Sequence, residues 1–192
     1  MRGRTKIQMK KKIAIIAGGD SSEYEVSLRS AAGIYSFLDH ERYDTTIVRM
    51  RGNDWQALPN INPLQDDLLQ AGAPIDKNDF SYIHNGQKHH FDFAYITIHG
   101  TPGENGVLQG YLDMLRIPYS CCGVLAAALS FNKYACNHYL SGFGIRTAKS
   151  ILLRAGAPIP SAQSIVDEVG LPCFIKSNVG GSSFGCSKVK HI

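Results

Sequence analysis

The sequence lacks a long apolar run. None of the uninterrupted apolar stretches in its 192 residues approaches the roughly 18 residues that a membrane-spanning helix needs. The N-terminal stretch MRGRTKIQMKKK is followed by no apolar segment of the signal-peptide type, so residues 1–8 resemble an expression remnant or an alternative start. We therefore expect a cytoplasmic protein without a membrane partner.

Cysteine is scarce, and its spacing is not that of a disulfide or metal framework. The chain has five cysteines, an odd number, and no C-x-x-C pair. Most of them lie within apolar segments. This usage predicts reduced, partly buried thiols, as is usual in a cytoplasm.

Positive charge is not spread over the chain either. The net charge is +4, yet the first twelve residues hold six of the 20 basic residues and no acidic one, which leaves 14 basic and 16 acidic residues. A phosphate-binding surface needs basic residues on the folded domain itself. We expect no nucleic-acid partner, and we interpret residues 1–11 as a basic arm, either a tag or disordered.

The first folded segment has the pattern of a βαβ unit. The buried strand Lys12–Gly19 runs into a glycine turn, a helix follows with Ser22 and Glu25 at capping-box spacing, and Thr45–Met50 forms a second strand. This order predicts an α/β fold with a parallel sheet and a right-handed crossover.

The following segments predict an irregular stretch and a hairpin. Residues 52–79 contain three prolines and are expected to be loop with one helical turn. Asn85-Gly86 suits a type I′ hairpin turn. The buried strand that starts at Phe93 should end at His99 and Gly100.

The pattern changes near residue 130, where we place a domain boundary between 12–130 and 131–192. Asn132 is a predicted helix cap, and strands are expected at 148–153, at 173–176 and from about Cys186, with a helix at 161–169. This alternation predicts an α+β domain with an antiparallel sheet.

The stretch GGDSSEYEVS is the first candidate site. It places a glycine turn where open α/β sheets bind ligands, but it lacks G-x-G-x-x-G spacing. Glu23 and Glu25 carry negative charge near the helix N-terminus, which favours a cationic group such as an ammonium over a phosphate. The alternative is that both glutamates only cap the helix.

The stretch IHGTPGENG is the second candidate site. His99 ends a buried strand and is therefore directed at the same crevice, and Glu104 lies close enough along the loop to orient the imidazole. The alternative is a hydrogen-bonded structural histidine.

The third candidate site consists of two lysines and a Gly/Ser loop. Lys133 stands at a helix start, and Lys176 ends an apolar strand directly before the loop NVGGSSFG. A lysine acts as a point charge for phosphate, and such a loop offers backbone N–H groups and hydroxyls. The combination favours a nucleotide, although the loop alone is more typical of a turn.

Taken in order, three motifs carry a family resemblance. GGDSSEYEVS, IHGTPGENGVLQGYLDMLRIPYSCCGVLAAALSFNK and GLPCFIKSNVGGSSFGCSKVK together resemble D-alanine–D-alanine ligases of the ATP-grasp superfamily, over most of residues 12–192. The resemblance implies a Rossmann-like pre-ATP-grasp domain followed by the incomplete start of an ATP-grasp domain. It also implies ATP-dependent joining of two D-alanines through an acyl phosphate, for peptidoglycan precursors, with Mg²⁺ or Mn²⁺ and a homodimeric enzyme.

The resemblance also implies residue roles. Glu23 would hold the ammonium of the first D-alanine, with His99 beside that substrate, and Ser182 would link the loop to Glu23. ATP phosphates would be bound by Lys133 and Lys176 and by loop residues that include Gly181 and Ser183.

Two departures from the family pattern qualify these expectations. Ser177 stands where the family usually has proline, and the metal ligands are expected beyond Ile192, so we expect this chain to be inactive by itself. A non-catalytic module that binds a small molecule, or a relative that joins D-alanine to D-lactate or D-serine, remains an alternative.

Overall fold

The structure is a computed structural model that describes residues 9–181 and 185–192. Most of the basic arm, and the predicted site residues Ser182 and Ser183, lie outside the described residues.

The described residues form fourteen regular elements. In chain order they are β1 (Lys11–Gly18), α1 (Tyr24–Phe37), β2 (Tyr43–Arg51), β3 (Asp54–Leu58), β4 (Ala73–Asp76), β5 (Ser81–His84), β6 (Gln87–His89), β7 (Phe93–Ile96), α2 (Val107–Met114), α3 (Val124–Phe131), α4 (Lys133–Ser141), α5 (Ala162–Val169), β8 (Cys173–Ile175) and β9 (Ser187–Val189). None of the helices in this part of the chain has both the length and the apolarity to cross a membrane.

The main sheet is mixed rather than parallel. Its strand order is β6-β5-β4-β3-β2-β1-β7, and only β1 with its neighbours β2 and β7 runs parallel. The α/β class and the βαβ start are confirmed, and the predicted parallel pairing holds for β2, β1 and β7 but not for the rest of the sheet. The reason is that 52–79, expected to be irregular, contains β3 and β4, which extend the sheet from β2 in antiparallel order.

Strand β1, which lies between β2 and β7, is covered on both faces of the sheet. Its alternate residues point to opposite sides, so Ile13 and Ile15 join one apolar cluster and Ala14 and Ile16 join the other. Residues of α1 belong to the first cluster and residues of α2 to the second. A strand buried on both faces reads as a continuous apolar run, as it does here.

The predicted hairpin is present. Asn85 and Gly86 have φ angles of 50° and 74°, as a type I′ turn requires, and they connect β5 to β6.

The chain divides into two compact units between Val124 and Leu125, six residues before the boundary predicted near residue 130. In the second unit Asn132 caps α4 by accepting the N–H of Ala135, and β8 pairs antiparallel with β9. The prediction of a strand at 148–153 was wrong, because that stretch has no regular structure. Within the described residues β8 and β9 pair only with each other, so they offer the stretch no ladder to join.

Candidate functional site

The first unit brings two predicted site segments together at the carboxyl ends of β1 and β7. These strands are parallel neighbours, so both end at the same edge of the sheet. Glu23 is the N-cap residue of α1, five residues after β1, and His99 follows β7 by three residues. This edge, beside a crossover, is where open α/β sheets bind ligands.

The Ser21 hydroxyl connects the two segments directly. It accepts a hydrogen bond from the backbone N–H of Glu23 at 3.1 Å and donates one to the carbonyl oxygen of His99 at 2.7 Å. The same hydroxyl therefore bonds both the Glu23 segment, through a lone pair, and the His99 segment, through its hydrogen. This fixes the separation of the two segments. Sequence reasoning did not single out Ser21.

A second serine, Ser27, holds the base of the site. Its side chain is fully buried, accepts a hydrogen bond from Gly18 N–H at 2.9 Å and donates one to the Thr97 carbonyl oxygen at 2.9 Å. It therefore ties α1 to the ends of both β1 and β7. A serine in a helix is usually at the surface, so the local sequence did not indicate that Ser27 is buried and joins the helix to two strands.

Close backbone approach explains two of the glycines. Gly18 has φ of +97°, and a Cβ atom there would lie 2.3 Å from the carbonyl oxygen of Met50. Gly100 has φ of +75°, and a Cβ atom there would lie 2.9 Å from the Ser21 Cβ. Both positions therefore require glycine, because a Cβ atom would clash with its neighbours and because the φ angle is positive.

The local interactions differ from two expectations. Ser22 does not cap α1, since Glu23 is the N-cap residue, and the Glu23 side chain makes no capping hydrogen bond. Glu104 does not orient the imidazole through its carboxylate, because its Oε2 accepts the backbone N–H of Gly100 at 2.7 Å. Glu104 thus shapes the loop that follows His99. The imidazole Nε2 instead lies 3.4 Å from the Ser30 hydroxyl.

An arginine–tyrosine pair flanks this site. The guanidinium of Arg51, at the end of β2, lies 4.9 Å from the centre of the Tyr24 ring. The Tyr24 ring also packs against Gly18: a Cβ atom added at Gly18 would lie 2.9 Å from Cε2 of Tyr24. Burial raises the pKa of the Tyr24 phenol, while the positive charges of Arg49 and Arg51 act in the opposite direction.

The second unit brings Lys133 against the Gly/Ser loop. The Lys133 ammonium donates to the carbonyl oxygen of Gly180 at 2.7 Å. The ammonium carries three donors, and within residues 9–181 and 185–192 this is the hydrogen bond that it makes, which leaves two donors for another acceptor. Lys133 therefore contacts the loop directly, and its role in binding phosphate stays a prediction.

Asn178 fixes the root of this loop on the N-terminus of α4. Its carbonyl oxygen accepts the N–H of Lys133 at 3.0 Å, and its Oδ1 accepts the N–H of Tyr134 at 2.9 Å. Its Nδ2 donates to the capping oxygen of Asn132 at 2.9 Å. Asn178 and the cap Asn132 thus accept the N–H groups of Lys133, Tyr134 and Ala135, so these N–H groups are already used within the protein.

Two further predicted residues of this unit, Lys176 and Gly181, are exposed. Lys176 directly follows β8, and Gly181 directly follows the residue whose carbonyl oxygen accepts from Lys133. In residues 9–181 and 185–192 there is no group of three or more His, Cys, Asp or Glu side chains placed to hold a metal ion.

Comparison with known proteins assigns the chain to a family. Residues 12–122 match the family described as D-ala D-ala ligase N-terminus. The chain belongs to this family. The match spans β1 to β7 and α2, and therefore includes both Glu23 and His99.

Relatives in the ligase family extend the likeness to nearly the whole chain. The D-alanine--D-alanine ligase of Phocaeicola vulgatus is 59% identical over 182 residues, which are 95% of this chain and 53% of the relative. The chain thus spans about half the length of the curated relatives it matches.

Solved structures agree in fold. D-alanyl-alanine synthetase A from Vibrio cholerae superposes with a TM-score of 0.75 at 30% identity, over 95% of this chain and 52% of that one. The D-alanine--D-alanine ligase from Bacillus anthracis complexed with ATP superposes with a TM-score of 0.67 at 25% identity, over 94% and 50% of the two chains.

Proposed function

We propose that the protein containing this chain joins two D-alanines in an ATP-dependent reaction. The γ-phosphoryl group of ATP is transferred to the carboxylate of one D-alanine, which gives an acyl phosphate and ADP. The amine of a second D-alanine then attacks the acyl carbon, and phosphate leaves. The observation that carries this proposal is the Ser21 hydroxyl, which joins the Glu23 and His99 segments at one sheet edge in a chain of the ligase family.

The first unit supplies the residues that we propose bind D-alanine. Glu23 provides a carboxylate for the ammonium of the first D-alanine, and a charge-assisted hydrogen bond is among the stronger polar contacts in proteins. His99 lies beside the same substrate, where its imidazole orients the carboxylate or offsets its charge. A pre-positioned pair of this kind reduces the entropic cost of aligning the reacting groups.

The second unit supplies the residues that we propose bind the phosphates of ATP. The two donors that Lys133 does not use on Gly180 are available for phosphate oxygens, and exposed Lys176 adds a second positive charge at the start of the loop. We assign Gly181 and Ser183 to the part of the loop that closes over ATP, and Ser182 to its link with Glu23. These three roles rest on the family resemblance.

Metal binding is proposed for the whole protein and not for this stretch. The described residues offer no carboxylate cluster that fits Mg²⁺ or Mn²⁺, so no step above depends on a metal held by them. A cytoplasmic location and a homodimer are likewise proposals from family likeness.

Release of ADP tests the proposal. We expect the full-length gene product to release ADP only when D-alanine is present, and the 192-residue chain to release none above background. D-alanine-independent release by the full-length product would contradict the ligase proposal, and D-alanine-dependent release by the short chain would contradict its inactivity.

The same assay separates the alternatives. Dipeptide is identified by mass after incubation with D-alanine alone and with added D-lactate or D-serine. A mixed product as the main species would favour a ligase of different second-substrate specificity. Binding of D-alanine without turnover in the full-length product would favour a binding module.

A further inference from the structure

Ser30 of α1 lies beside the imidazole of His99. Its Oγ atom is 3.4 Å from Nε2 of that ring and 3.0 Å from the carbonyl oxygen of Val26, one turn earlier in the helix. Both Ser30 and His99 are half-buried. The contact connects α1 to the segment that follows β7.

Counting hydrogens assigns a direction to this contact. A serine hydroxyl has one hydrogen to donate and two lone pairs to accept with. The Ser30 hydroxyl donates its one hydrogen to the Val26 carbonyl oxygen in the shorter bond. In the contact with the imidazole, the hydroxyl oxygen can therefore only accept a hydrogen bond. The donor must then be Nε2–H of His99.

The positions of both partners are fixed independently of this contact. His99 is held at its carbonyl oxygen by the Ser21 hydroxyl, and α1 is held to both strands by buried Ser27. These contacts fix the backbone on both sides of the Ser30–His99 contact.

We infer that Ser30 is a positioning residue that keeps neutral His99 in its Nε2–H form and leaves Nδ1 as the atom that can bond the substrate. The hydrogen bond that one ring nitrogen makes determines which nitrogen carries the proton. This inference rests on the proposed function for the role of His99, but the tautomer itself is a property of the chain alone.

Nitrogen-15 NMR of the imidazoles in the 192-residue chain tests the inference. We expect His99 to show pyrrole-like Nε2 and pyridine-like Nδ1 shifts at a pH where the ring is neutral, with a slowly exchanging Nε2–H proton. Because an unrestrained imidazole already favours this tautomer, exposed His191 serves as the internal reference.

Three variants complete the design. Ser30→Ala should move the His99 shifts toward those of His191 and speed proton exchange, whereas Ser30→Thr retains a hydroxyl and should preserve the native pattern. Ser36→Ala is the matched control, because Ser36 makes the same kind of bond in α1, to the Gly33 carbonyl oxygen at 2.7 Å. It should leave His99 unchanged, and the amide spectra outside the site establish that each variant folds.

The outcomes separate this inference from the proposed function. Native-like His99 shifts and proton exchange in folded Ser30→Ala would overturn the role of Ser30 and leave the ligase proposal intact. In the full-length product we expect Ser30→Ala to raise the KM of the first D-alanine about two- to tenfold, with the KM of ATP unchanged. Altered His99 shifts with an unchanged D-alanine KM would support the tautomer assignment and contradict the substrate role of His99.

Discussion

Replacing Glu23 with glutamine tests the proposed ammonium anchor. The native backbone contacts of this residue are its N–H to the Ser21 hydroxyl and its carbonyl oxygen, which accepts the N–H of Ser27. Neither contact involves the carboxylate. Glutamine has nearly the same shape, so Glu23→Gln removes the charge while the N-cap position is kept.

The expected loss follows from the strength of a charge-assisted hydrogen bond. Such a bond contributes about 1.5–3 kcal/mol, which corresponds to about 10- to 150-fold in affinity. Because Glu23 is half-buried rather than buried, we expect a value in the lower part of this range.

Steady-state kinetics of the full-length product provide the assay. Initial rates measured against D-alanine separate its two binding sites, and a separate series gives the KM of ATP. We expect the first D-alanine site to weaken while ATP is unaffected. Equal losses for D-alanine and ATP would refute the assignment of Glu23 to the substrate ammonium.

Three further predictions concern the scaffold. Gly18→Ala should lower the free energy of unfolding by more than about 1 kcal/mol, because the position has a positive φ and the new Cβ would clash with the Met50 carbonyl oxygen. Gly33→Ala is the control: its new Cβ would have no neighbour within 4 Å, so it should raise the free energy of unfolding by up to about 1 kcal/mol. Denaturant titration measures both values. Asn178→Ala should speed amide exchange in the first turn of α4 by the equivalent of about 1–3 kcal/mol, and native-like protection would contradict the anchoring role. Hydrogen bonding to Lys88 lowers the pKa of Asp79 to about 2, so this carboxylate stabilises the fold above its ordinary pKa of 3.8 and loses that effect as pH falls toward 2. Asp79→Asn should therefore flatten the decline of Tm over this pH window, and an unchanged slope would contradict it.

The elements that sequence reasoning predicted are those with strong local signals. The apolar run of β1 and the Asn85-Gly86 turn each specify their structure within a few residues, and the structure confirms both. The residue order along parallel strands also predicted that Glu23 and His99 lie at one edge of the sheet.

The elements that were missed depend on partners distant in sequence. β4 contains Pro74 and has only four residues, and it exists as a strand because β3 and β5 pair with it. Ser21 and Ser27 carry no pattern of their own, since their roles arise from contacts with residues 70 or more positions away. Conversely, 148–153 has a strand-like composition, but the described residues supply no strand that pairs with it.

A crystal structure of the full-length product with D-alanine and a non-hydrolysable ATP analogue tests the central claim most directly. We predict that the D-alanine ammonium lies about 2.7–2.9 Å from the Glu23 carboxylate, with the His99 ring in contact with the same molecule. D-alanine bound elsewhere, with both side chains free of ligand, would contradict the account.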